Sequence, residues 1–325
     1  MALSSKIKVG VLRGGPSREH EVSVKTGSHV LKNMPDGFFP VDIFIDKAGM
    51  WHVNGVAEKP EKVFRRIDVF WNALHGEFGE DGTLSRMLDS FGVPYTGSGH
   101  LPSVFAIHKG HAKAALKRQG VKSPYHKILK ESGADKNAIL ELWRTLPNPA
   151  IVKPMNSGSS LGVSVAKTFA EFAAALEKAW SESDSALVEE YLFGREATCG
   201  VIDNFRGQNV YALLPAELLP PAGAKFLDYG GKYGGEMKSI NPGRFSSAEK
   251  EAMQTIARTA HEVLGLRHYS RSDFIVTPKR GIYFLEVNSL PGLYKGAPYA
   301  DSLEAVGSSL PEFIGHVLRL ALNGR

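Results

Sequence analysis

Arg271-Ser272-Asp273-Phe274-Ile275-Val276, then Thr277-Pro278-Lys279-Arg280-Gly281, then Ile282-Tyr283-Phe284-Leu285-Glu286-Val287-Asn288, is the stretch that decides how this chain folds. Ser272 to Val276 reads as a strand, Pro278 and Gly281 punctuate a turn, and Ile282 to Val287 returns as the second strand of a hairpin. Side chains alternate between faces along a strand, so Glu286 and Asn288 share one, and Asp273 can join them from the partner. Three hard oxygen donors, two of them anionic, suit Mg²⁺ held between protein and phosphate oxygens. Taken alone, the same residues also fit a solvated polar rim beside a turn.

The surrounding chain narrows the choice. At 325 residues it is longer than a usual single domain, so two or three domains with a substantial core are expected. The formal net charge of +5 is mild and favours small anionic ligands. No basic tail or Lys/Arg run points to nucleic acid. The single cysteine, Cys199, excludes an intrachain disulfide and reads as a small buried residue. With no long apolar span and no signal-peptide pattern, no membrane association is expected and the cytoplasm is the expected compartment.

Organisation changes along the chain. Ile7 to Leu12, Val41 to Ile45 and Val69 to Leu74 are expected strands, alternating with helices over Val22 to Leu31 and Ser85 to Phe91, which implies a parallel sheet flanked by helices. One helix is expected from Ser103 to Gln119. Short strands follow at Ala150 to Lys153, Gly162 to Ala166 and Ala186 to Tyr191, with a helix from Phe169 to Trp180, which suggests a small α+β unit. Beyond it lie strands at Ala197 to Ile202 and Val210 to Leu214, a loop from Pro215 to Gly243, and a helix opened by the capping box Ser246/Glu249. Ser309 with Glu312 opens a terminal helix in the same way. The expected domains are 1–100, 101–192 and 193–325.

Several segments carry chemistry. Gly14-Gly15-Pro16-Ser17 leads into Glu19-His20-Glu21-Val22-Ser23; a Gly-rich strand-to-helix turn brings N–H groups close to a ligand, or is simply a tight turn. Glu19 is a candidate partner for a substrate ammonium. Leu74-His75-Gly76-Glu77 and Gly79-Glu80-Asp81-Gly82-Thr83 follow the third strand, with His75 a candidate substrate contact or an ordinary loop histidine. Lys153 leaves a strand and enters the loop Ser157-Gly158-Ser159-Ser160-Leu161-Gly162, where cation, N–H and hydroxyl groups can wrap phosphate oxygens. Lys109 is a second candidate phosphate cation, or a solvated helical lysine. Lys232-Tyr233, inside Gly230-Gly231-Lys232-Tyr233-Gly234-Gly235, reads as a mobile lid or as a plain surface loop.

Taken together and in this order, these segments resemble the D-alanine–D-alanine ligase family of the ATP-grasp superfamily, from about Ile7 to Ala321; Pro94-Tyr95-Thr96-Gly97-Ser98-Gly99 and Glu196 belong to the same set. The resemblance implies an ATP-grasp fold of mixed α/β and α+β class: an N-terminal parallel-sheet α/β domain, a small central α+β domain and a C-terminal α+β domain. ATP would lie between the last two, with Lys109, Lys153 and Ser160 at the phosphates, Glu189 and the backbone near Leu192 at the adenine, and Glu196 at the ribose. Asp273, Glu286 and Asn288 would hold two Mg²⁺, with Mn²⁺ as an alternative. Glu19, linked through Ser159 to Tyr233, would hold the first D-alanine. Lys232 would meet transferring phosphate, and Arg271 with the Gly292 N–H would meet the oxyanion. Family members are typically homodimers and make the dipeptide for peptidoglycan precursors. The chemistry of the residues agrees: a carboxylate must become an acyl phosphate before an amine can attack it, and that gathers anionic oxygens that need cations.

The chain departs from the family at three places. Ala297 stands where a serine is usual for the second substrate's carboxylate; Lys295 or Ser302 are candidate replacements, and a ligase with another acceptor amine is the alternative function. His108 precedes Lys109 where Asp is common, and Gly230-Gly231 precede Lys232 where bulkier residues are common. A nucleotide-binding switch without turnover is the further rival, although Asp273, Glu286, Asn288 and Arg271 are all present.

Overall fold

A computed structural model of the chain describes residues 6–156, 162–220 and 238–324. Ser159, Ser160, Lys232 and Tyr233 lie outside the described residues. Three sheets organise the rest.

The first runs in the order β4 (Val56–Ala57), β3 (Trp51–Val53), β2 (Phe38–Ile45), β1 (Ile7–Gly14), β5 (Val69–Asn72). The β1–β2 and β1–β5 pairs are parallel, and β3 and β4 extend the edge as antiparallel hairpins. Apolar β1 and β5 are buried on both faces, as a parallel strand covered by helices must be. Their carboxyl ends open onto the turns at Gly14 and Leu74, where a crevice forms.

The second sheet is antiparallel, in the order β6 (His126–Lys130), β9 (Ser185–Glu190), β7 (Ala150–Pro154), β8 (Ser164–Ala166), with the helix Phe169–Trp180 packed on it. The third is also antiparallel: β13 (Lys238–Ile240), β12 (Ala216–Leu219), β10 (Arg195–Phe205), β14 (Tyr269–Thr277), β15 (Gly281–Asn288), with β11 (Gln208–Ala212) paired to β10. The capping box at Ser246 forms as expected: its hydroxyl accepts the Glu249 N–H while the Glu249 carboxylate accepts the Ser246 N–H. At the terminal helix only half of the box forms. Ser309 caps the Glu312 N–H, but the Glu312 carboxylate turns to the Ser308 hydroxyl.

One core joins the first sheet to the C-terminal helices. Trp71, Tyr269, Tyr299 and Phe313 are fully buried against Val9, Val69 and Val317. Rings of this size contribute about 2–3 kcal/mol each by burial, so the crevice edge is held by the same packing that holds the third sheet.

Two expectations are corrected. The single helix from Ser103 to Gln119 is two helices, His100–Ile107 and Lys109–Lys117, broken where His108 takes extended backbone and caps the second through its Nδ1, 3.1 Å from the His111 N–H. A neutral imidazole nitrogen accepts that bond as an aspartate would, which explains how His108 is tolerated. The segment Pro215 to Gly243 is not loop throughout, since β12 and β13 pair across it from Glu217↔Ile240 to Leu219↔Lys238. Among the described residues, no helix is long and apolar enough to cross a membrane.

Candidate active site

The β14–β15 hairpin forms as the sequence dictates, and its register places the expected residues. Arg271 lies opposite Asn288, and Asp273 opposite Glu286, so the four side chains stand as a two-by-two square on one face. A register shift after Asp273 skips Leu285, and pairing resumes from Phe274↔Phe284 toward the turn. Asp273 is held from two sides. Thr198, its cross-strand neighbour on β10, donates its hydroxyl to Oδ1 at 2.6 Å, and Arg271 donates Nε and Nη2 to the two carboxylate oxygens at 2.9 Å each.

The next layer comes from the central sheet and the helix Lys109–Lys117. Lys153 on β7 and Glu189 on β9 are diagonal neighbours on one face, and Nζ lies 2.6 Å from Glu189 Oε2. Lys113 reaches Glu189 Oε1 at 2.9 Å from the helix. Lys109, one turn earlier on the same helical face, sits 3.6 Å from Glu286. All three lysines and Glu189 are buried. Burial works to raise the Glu189 pKa, but the charges of Lys113 and Lys153 outweigh it and hold the carboxyl below its usual range. Burial pushes Lys113 down to about 8 despite Glu189.

The Glu189 carboxylate is paired with Lys113 and Lys153 and orients both ammonium groups. Leu192, on the connection into β10, and Glu196, at the start of β10, are half-buried.

On the crevice side, Glu19 is buried at the start of the helix His20–Lys32, its carboxylate so close to Gly76 that a Cβ there would sit 2.9 Å from Oε1. Gly76 also has φ +67°, which favours glycine independently. His75 is buried, with Nε2 2.9 Å from the Thr26 hydroxyl. Burial and the Arg271 charge lower it to about 4, so it is neutral at pH 7.

Glu80, quoted in its motif but given no role from sequence, ties the crevice together. It accepts the Gly76 N–H at 2.7 Å and the Leu290 N–H at 3.2 Å, pinning the turn that carries Gly292. Burial and the neighbouring Glu19 charge raise its pKa well above the carboxylate range. Gly292 itself is packed so that a Cβ would meet the Tyr294 ring at 2.9 Å. Next to this wall lies a cavity of about 570 Å³ lined by Ser17, Glu19, Gly76, Asp81, His108 and Asn156, and the Arg18–Glu182 ion pair joins its two sides.

Beyond Gly292, Lys295 is exposed and Ala297 is buried at the start of the helix Pro298–Ala305. The Ser302 hydroxyl is buried and lies 2.8 Å from both Asn241 Oδ1 and the Pro298 carbonyl.

The Pro94 to Gly99 segment is structural. The Gly97 N–H donates to His268 Nδ1 at 3.2 Å, and Ser98 bonds the Arg267 backbone, fastening the first sheet's end to β14. Burial and the Arg267 charge lower His268 to about 4. His75 and His268 both have folded pKa values below the free imidazole value. The stability they contribute is therefore full above about pH 6.5 and is lost as pH falls toward 4, on the order of 3 kcal/mol for each. Urea unfolding between pH 7 and 4 will show this loss, and His268→Asn, which keeps an acceptor for Gly97 without titrating, will reduce it. An unchanged pH profile in the variant would contradict the assignment.

The candidate metal residues suit a hard cation. Asp273 and Glu286 supply anionic oxygens, and the Asn288 amide oxygen accepts one bond, from the Leu290 N–H, leaving a second lone pair. Among the described residues no group of three or more His, Cys, Asp and Glu is placed to hold a metal, so any such site depends on that amide and on ligand oxygens.

Two antiparallel sheets, with the helix Lys109–Lys117 placing lysines on Glu189 of one and Glu286 of the other, make this an ATP-grasp protein. The family model described as D-ala D-ala ligase C-terminus matches residues 116–319, and the one described as D-ala D-ala ligase N-terminus matches 8–63 and 54–98. The chain belongs to the D-alanine–D-alanine ligase family. It is 34% identical over 316 residues to the D-alanine–D-alanine ligase of Geotalea uraniireducens, covering 97% of this chain and 95% of that one. To the D-alanine–D-alanine ligase of Halalkalibacterium halodurans it is 33% identical over 323 residues, covering 97% and 99%. Similar solved structures include D-alanyl-alanine synthetase A from Vibrio cholerae (TM-score 0.87, 25% identity, covering 99% of this chain and 100% of that one). VanG D-Ala:D-Ser ligase from Enterococcus faecalis is another (TM-score 0.84, 26% identity, 98% and 100%).

Proposed function

We propose that this protein joins two D-alanines at the expense of ATP, through an acyl phosphate, to supply the dipeptide of peptidoglycan precursors. The observation that supports this reading most is the square of Arg271, Asp273, Glu286 and Asn288 facing the lysines around Glu189. A carboxylate oxygen of the first D-alanine, its ammonium on Glu19, attacks the γ-phosphorus, and ADP leaves. The second D-alanine, its amine deprotonated, attacks the acyl carbon, and inorganic phosphate leaves with the bonding pair. Lys109, Lys153 and Lys232 balance phosphate charge, with Ser160 as a hydroxyl donor. The backbone near Leu192 meets the adenine and Glu196 the ribose. Asp273, Glu286 and Asn288 would hold two divalent cations, Mg²⁺ or alternatively Mn²⁺, which would supply positive charge to the phosphate oxygens. Arg271 and the Gly292 N–H take the oxyanion formed by amine attack. Ser159 and Tyr233 complete the link to Glu19, and Lys295 meets the acceptor carboxylate in place of the usual serine. Action in the cytoplasm as a homodimer rests on the family likeness.

Amino-acid-dependent ADP release tests the reading. D-alanine alone should sustain turnover with stoichiometric D-alanyl-D-alanine. Turnover only when D-serine or another amine is added would transfer the function to a different acceptor, and ATP binding with no turnover on any amino acid would contradict ligase function.

A further inference from the structure

Both carboxylates of the candidate metal site are already paired with cations. Asp273 carries the Arg271 guanidinium on two hydrogen bonds of 2.9 Å, and Glu286 lies 3.6 Å from the Lys109 ammonium. Carboxylates directly opposite each other on neighbouring strands repel, so this face needs two positive charges, and Arg271 and Lys109 supply them. Under the proposed function these same groups have other work: Arg271 at the oxyanion and Lys109 at phosphate. A guanidinium with Nε and Nη2 both engaged by Asp273 cannot turn that two-donor edge to a substrate at the same time.

We propose that Arg271 and Lys109 are internal counterions of the metal-free site. They pass from Asp273 and Glu286 to the oxygens of the anionic ligands when a divalent cation takes the carboxylates. This inference rests on the metal assignment made under the proposed function. The exchange needs only side-chain rotation, because Arg271 and Asp273 share one strand face, and Thr198 keeps Asp273 oriented after the arginine leaves. It makes metal and anion binding cooperative in both directions, since each frees the partner of the other.

The test is anion binding in EDTA, read by calorimetry as double-mutant cycles. Without metal, Asp273→Asn should tighten a phosphinate dipeptide about tenfold by releasing Arg271, and Glu286→Gln should tighten ADP similarly by releasing Lys109. Removing a negative charge could tighten an anion by itself, so the second arm decides. In the Arg271→Met and Lys109→Met backgrounds the gain should vanish. A gain that persists there, or no gain in the single variants, overturns the exchange. The Glu286 arm, at a more exposed carboxylate, reads the proposal even where Asp273→Asn folds poorly. No turnover enters these measurements, so failure here is distinct from failure of ligation with D-alanine.

Discussion

Arg271→Met will lower kcat by about 10²–10³-fold and leave KM for D-alanine within a few-fold. Under the proposed function Arg271 meets an oxyanion that the substrates do not bring, since it develops only as the amine attacks the acyl phosphate. A permanent charge placed there therefore acts on the transition state and not on binding. Arg271 stands on the face that carries the metal residues, beside the turn that Glu80 pins through the Leu290 N–H. Loss of the guanidinium also leaves Asp273 with the Thr198 hydroxyl, so the variant should melt lower without Mg²⁺ and recover with it. Steady-state ADP release and melting curves with and without Mg²⁺ check both halves. A kcat within a few-fold of the parent would remove Arg271 from the chemistry.

Glu189→Gln should be the most destabilising single change at the site, on the order of 3–5 kcal/mol. Its carboxylate is the shared partner of Lys113 and Lys153, with the Lys113 side chain fully enclosed. A neutral amide leaves both ammonium groups buried without their counter-charge. Burial already depresses Lys113, and loss of Glu189 depresses it further. A lysine whose folded pKa lies below its unfolded one adds stability at high pH and loses it as pH falls through the folded value. The variant should accordingly gain stability from pH 7 to 10 relative to the parent. Lys113→Met in the same chain should restore much of the loss, because an apolar side chain of similar length fills the space without a charge. A melting curve like the parent's, or no rescue by the second change, would contradict this account of the network.

The hairpin was legible because its residues are local: a strand, a turn and a strand fix which side chains share a face, and the register places Asp273 against Glu286. Lys113 was not singled out from sequence, although it lies four residues after Lys109 on one helix; nothing local says that a buried glutamate from a distant strand will meet it. The same holds for Glu80, whose partner Leu290 is 210 residues away. The helix break at His108 and the strands β12 and β13 escaped for a different reason. The apolar pattern runs through His108, and strands of three or four residues carry too little periodicity to stand out from a loop. Where side chains act through tertiary pairing, as Ser302 does with Asn241, only the folded chain decides whether a hydroxyl is available to a substrate.

Under the proposed function, ATP activates a D-alanine carboxylate by phosphorylation before the amine attacks. D-alanine labelled with ¹⁸O in its carboxylate tests it directly when the released phosphate is analysed by mass spectrometry. One ¹⁸O should appear in phosphate for each dipeptide formed, because the oxygen bonded to phosphorus in the acyl phosphate leaves with it. Dipeptide formation with unlabelled phosphate, or with the label in AMP, would contradict it.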